Sequence, residues 1–167
     1  CKTLVTSAGT ILFKELEPQK DGSVLFSPFT MIAGVGEETL LQRTVPADQK
    51  TPTVIRSLIG ATLDFSKPFQ EAIQSGAKMS QARLMGEVDI YRPPTKADGS
   101  DVLHILTRNV QIDRHRIYTL DQVLFSYGPH QGAGRNLLID LVHDVTTAAG
   151  SQDFSSIQDA SRLELAY

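Results

Sequence analysis

The chain has 167 residues, 41% apolar and 21% charged, a balance that gives one well-buried core and little room for two. A formal net charge of −3 argues against nucleic acid as a partner, because counterion release needs a basic surface. No apolar run is long enough for a transmembrane helix, and the one cysteine, Cys1, makes neither an intramolecular disulfide nor a paired-cysteine metal site.

A chain opening on Cys in place of Met is either cut from something longer or a mature lipoprotein anchored through that residue. The expectation is a fragment, since residues 2–5 lack the polar, flexible tether usual after a lipid anchor. LELAY at the other end reads as a strand stopped midway.

Residues 11–17 and 24–31 read as two strands around EPQKDG, with Asp21-Gly22 supplying the positive φ of a hairpin turn. Residues 34–50 are polar and read as a long connection, with a helical turn at 37–42. Residues 54–65 read as the next strand, with Ile55, Ile59, Ala61, Leu63 and Phe65 on one face; Val54 and Leu58 fall off that parity. Ser66 and Pro68 then look like an N-cap and first-turn proline, followed by Phe69, Ala72 and Ile73 at helical spacing and Gly76 as a stop.

From Leu84 to Leu141 four strand-like segments follow one another with only turns between them, which predicts an antiparallel meander. Leu84, Gly86, Val88 and Ile90 share one face. After the Pro93-Pro94 stop and a turn at 97–100, the apolar parity shifts from Leu103 and Ile105 to Val110 and Ile112. That shift predicts a bulge near Thr107 or Arg108. A hairpin at 113–116 leads into 117–127, where Val123, Phe125 and Tyr127 alternate with Gln122, Leu124 and Ser126. Residues 128–134 read as a glycine-rich turn, and Leu137, Ile139 and Leu141 form the last strand of the run. The expected fold is all-β: an open antiparallel jelly roll or meander of eight or nine strands, with one short helix in an insertion. It is expected to be one domain over 1–167, a piece of a longer envelope protein.

Catalytic patterns are missing from the sequence: there is no GxSxG, HExxH, P-loop or paired-carboxylate motif. Gly132-Ala133-Gly134 begins like a dinucleotide fingerprint but lacks the third glycine and the helix that would hold a pyrophosphate. The best local histidine pair, Asp140 with His143, supplies two ligands where zinc needs three or four, so the four histidines read as surface groups and no cofactor is expected. Arg108, Arg114 and Arg116 form a guanidinium group that would grip an anionic headgroup bidentately; the plainer reading is a charged hairpin tip guarding a sheet edge.

The order of cues along the meander carries a resemblance. Gly86-Glu87-Val88 is followed by LTRNVQID (106–113), RIYTLDQVLF (116–125) and GAGRNLLIDL (132–141). This resembles the lipopolysaccharide-export bridge proteins of the LptC and OstA type, over about a third of the chain, with Gly86, Val88, Thr107, Val110, Asp113, Ile117, Thr119, Val123, Gly132 and Gly134 at comparable places. The N-terminal membrane helix of an LptC-type protein is not in this sequence, and 34–50 and 67–80 are longer than such a jelly roll usually carries. The resemblance implies a non-catalytic periplasmic or envelope module that shelters the acyl chains of a lipopolysaccharide-like glycolipid between two sheets. It also implies pairing of an edge strand with another β-jelly-roll protein. Parity makes Val88, Ile90, Val110, Ile112, Val123, Phe125, Leu137 and Ile139 the lining of that groove. The competing expectation is a structural or adhesion-type β-sandwich of a larger surface protein, in which the same eight residues form a closed core.

Overall fold

Alternation of apolar and polar residues produces antiparallel strands throughout the computed structural model, which describes residues 1–6, 9–33, 52–75, 79–113, 116–141 and 160–166. The strands are β1 (Lys2–Thr6), β2 (Gly9–Phe13), β3 (Glu15–Pro18), β4 (Val24–Ser27), β5 (Phe29–Ala33), β6 (Thr53–Ser57) and β7 (Gly60–Phe65). They continue as β8 (Met79–Met85), β9 (Glu87–Arg92), β10 (Leu103–Arg108), β11 (Gln111–Ile112), β12 (Arg116–Tyr127), β13 (His130–Leu141) and β14 (Ala160–Ala166). The expected helix is present as α1 (Phe69–Ser75), with the Ala72 N–H donating to the Pro68 carbonyl at 2.9 Å. The connection at 34–50 and the Gly76 stop lie outside the described residues.

Most of these segments are halves of longer strands that bend once. β2 runs into β3 at Lys14, β4 into β5 at Pro28, β6 into β7 at Leu58-Ile59, β8 into β9 at Gly86, and β10 into β11 at Asn109-Val110. Each bent strand pairs with the next along both halves, so β2 pairs with β5 and β3 with β4, then β5 with β6 and β4 with β7. The pattern repeats through β6 with β9, β7 with β8, β9 with β10 and β8 with β11. β12 then pairs with β10 through its second half and with β11 through its first, and carries its own irregularity between Thr119 and Gln122. The architecture is one meander folded along a crease that passes through all these corners.

Folding at the crease gives two leaves that share a single apolar cluster. The first holds β1, β2, β5, β6, β9 and β10, the second β3, β4, β7, β8 and β11, and β12 with its neighbour β13 joins them at one end. At the other end the sheet path finishes on β1 in one leaf and β3 in the other, with no ladder between them among the described residues. The sheet is therefore nearly closed, with one unsealed seam, which bears out the all-β meander.

Several local expectations change. The stretches 11–17, 24–31 and 54–65 each bend where a straight strand was expected, and Ile59 is 59% exposed at its corner instead of buried. The strand holding Leu84 begins earlier, at Met79, and Gly86 is its corner, with φ of 68°. The break in the 103–112 stretch falls at Asn109, φ 49°, just beyond the expected bulge. The glycine-rich turn shrinks to Gly128-Pro129, and residues 130–134 belong to β13 because they complete the ladder with β12. In the first hairpin only Gly22 has positive φ; Asp21 serves instead through its carboxylate, which accepts from the Ser23 N–H at 3.0 Å and hydroxyl at 2.7 Å.

Candidate functional site

The interior between the leaves is built row by row from the strand register. In the first leaf one inward row runs Leu4, Ile11, Met31, Ile55, Ile90, Ile105 and Phe125. In the second, Val24, Leu63, Ala82, Ile112, Ile117 and Ile139 form the matching row. The eight expected lining residues divide evenly between the leaves: Val88, Ile90, Val123 and Phe125 on the first, Val110, Ile112, Leu137 and Ile139 on the second. All of them point inward. Seven are at most 8% exposed, and Phe125 is half-buried, with its ring lying over Gly132 of β13.

The same register explains why the crease tolerates its bends. A bent strand loses ladder bonds, and three buried hydroxyls replace them. Ser57 donates to the Met85 carbonyl at 2.7 Å and accepts from the Gly60 N–H at 3.1 Å. Thr107 donates to the Gln122 carbonyl at 3.0 Å, and Thr119 to the Arg108 carbonyl at 2.6 Å. Outside them, the Gly86 N–H donates to Asn109 Oδ1 at 3.0 Å, and Asn109 Nδ2 donates to Asp121 Oδ2 at 2.9 Å. The hydroxyl-to-carbonyl bonds are only partly buried, so each contributes about 0.5–1.5 kcal/mol net.

At the opposite end of the sheet path, Leu4 on β1 and Leu16 on β3 are partly buried against the core and flank the seam. The outer positions of β3 are Glu15 and Glu17, both exposed, and Pro18 at its end is exposed as well. α1 lies near this region through Phe69, whose ring meets Phe26 edge-on at 6.1 Å and Phe65 at 5.4 Å.

The arginines separate. Arg108 ends β10 at the crease, directly across the ladder from Glu87, whereas Arg116 begins β12, opposite Asp140 of β13. Arg114 lies outside the described residues, as do His115 and His143. His104 is tied to Asp89, Nε2 to Oδ1 at 2.8 Å, with Tyr91 edge-on beside it, and His130 opens β13. Among the described residues no three His, Cys, Asp or Glu side chains come together as a metal site.

One feature escaped the sequence reading because it is spread over four strands. On the outer face of the second leaf, Thr62, Arg83, Gln111 and Tyr118 stand side by side across β7, β8, β11 and β12. With Asp21, Asp64, Gln81 and Asp113 toward the strand ends, they line a polar trough of 290 Å³. The Tyr118 hydroxyl donates to Gln111 Oε1 at 2.8 Å. The Ser23 hydroxyl and N–H hold the Asp21 carboxyl below the usual carboxylate range, and the Arg83 charge acts in the same direction.

No helix among the described residues is long and apolar enough to cross a membrane. No family model, no curated protein and no solved structure matches the chain.

Proposed function

We propose that this domain is a non-catalytic module that shelters the acyl chains of a lipopolysaccharide-type glycolipid between its two leaves in the cell envelope. The observation that carries the reading is the pairing of a continuous apolar cluster between the leaves with an unsealed seam among the described residues. Both leaves contribute four of the eight lining residues, so an acyl chain lying between them would touch hydrocarbon on both sides. Leu4 and Leu16 flank the way in. Each methylene moved from water to that interior gains about 0.8 kcal/mol, which favours residence without chemistry. The seam also leaves β1 and β3 with unpaired edges, which suit strand addition from another β-jelly-roll protein.

A specific observation favours a second reading, a structural or adhesion-type sandwich: seven of the eight lining residues are buried in a filled core. For the first reading the leaves must part at the seam while the hydroxyl-bonded crease stays intact. The test is mass spectrometry of organic extracts from protein exported to and purified from a Gram-negative envelope. Stoichiometric glycolipid is expected, lost in Leu16→Glu while circular dichroism and the melting transition persist. A lipid-free protein that also takes up no added lipid A would leave the closed sandwich as the function.

A further inference from the structure

The polar trough on the outside of the second leaf has no part in sheltering acyl chains, since a full sheet separates it from the interior. Outward faces of antiparallel sheets usually carry long, independent, solvated side chains. Here the side chains are drawn into a concavity, walled on one side by the β3–β4 turn at Asp21 and on the other by Asp113 at the end of β11. Its volume of 290 Å³ falls just below that of small-molecule sites, roughly 300–1,000 Å³.

The chemistry of the lining is that of polyol recognition. Arg83 stands in the middle of the row as a fork of donors, with the Thr62 hydroxyl on one side and the Gln111 amide on the other. Tyr118 fixes that amide by occupying its carbonyl oxygen, which leaves the NH2 group as the face Gln111 presents. Carboxylates at Asp21 and Asp64 supply acceptors at the rim. They do not converge as metal ligands do, so spaced hydroxyls fit them better than a single cation. Asp21 and Asp64 against the one Arg83 guanidinium make the lining negative, which repels phosphate and uronate and favours neutral or amino sugars.

We infer that the trough formed by Arg83, Gln111 and Tyr118 with its aspartate rim is a saccharide-binding site for neutral or amino-sugar chains. It works on the outer face, so it operates whether or not the interior takes lipid. A domain so equipped would rest on a glycan surface through one leaf while the other functions belong to the seam.

The experiment is a titration of the 15N-labelled protein with three tetrasaccharides, of β-1,4-glucosamine, of N-acetylglucosamine and of galacturonate, each up to about 10 mM. Saturable shifts confined to the amides around Arg83, Gln111 and Tyr118 are expected for the first two, with the galacturonate tetramer weaker than both. Gln111→Ala, an outer-face change, should weaken binding about tenfold, and Tyr118→Phe should weaken it by releasing the amide. Absence of saturable shifts from all three sugars, or preference for galacturonate, would overturn the inference. So would binding that Gln111→Ala and Tyr118→Phe leave untouched while the spectrum stays folded.

Discussion

Asp101 shows how one side chain can hold a loop that the strand pattern leaves undefined. Its carboxylate takes the Thr95 hydroxyl and the N–H groups of Lys96 and Thr95, and these bonds lower its pKa to about 2. The folded value therefore lies below the unfolded one, near 3.9. Its contribution to stability is complete above the unfolded value and fades as pH falls through about 2. Following the Thr95 and Lys96 amides by NMR from pH 6 to about pH 2 should show the 93–102 loop staying closed until the bottom of that range. In Asp101→Asn the same amides should be exchange-broadened or fast-exchanging at every pH, and a loop indifferent to this substitution would remove Asp101 from that role. The sequence shows Asp101 only as one more acid in a turn, since its value depends on three donors brought to it by the fold.

The bends decide how strands behave as elements. At Gly60 an added Cβ would lie 2.4 Å from the Phe26 carbonyl oxygen, a backbone atom of the neighbouring strand. At Gly86 it would meet the far end of the Ile59 side chain at the same separation, and a side chain can move. Both residues have positive φ. Alanine at either should destabilise, by about 1 kcal/mol at Gly86 and about 2–3 kcal/mol at Gly60, in urea unfolding. Equal losses would mean that φ alone sets the cost. The same corners explain which parts of the fold the sequence reveals. Between Ile105 and Val110 the apolar parity changes, so a break is visible near Thr107 and proves to be Asn109. Across Leu58-Ile59 and Gly86 the inward positions stay on one parity, from Ile55 to Ala61 and from Leu84 to Val88. Such bends are silent in the alternation, which is why 54–65 reads as one straight strand. Lys14 and Pro28 do shift parity, but over strand halves too short for the shift to stand out.

For the molecule as a whole, strand parity alone was enough to turn all eight lining residues inward. It could not tell a groove from a core, because that difference lies in the distance between leaves and leaves no mark on alternation. The trough is hidden for a related reason: Thr62, Arg83, Gln111 and Tyr118 are polar residues of four separate strands that become neighbours only through register. If the seam is where the interior opens, backbone protection should be graded across the sheet path. Hydrogen exchange should be slowest around Ile90 and Val110, and faster at Leu4 and Leu16 by orders of magnitude. Uniform protection from seam to closed end would argue for a rigid sandwich.

A meander of bent strands has an unusual arithmetic of size. Each bent strand spans both leaves, so each added pair widens both at once, by two strand spacings or about 9–10 Å. Nothing in the existing crease needs to change, because each corner bonds only to the corners beside it. The number of strands is thus a ruler for the enclosed space, and chains with more or fewer bent hairpins would enclose longer or shorter apolar interiors on the same plan.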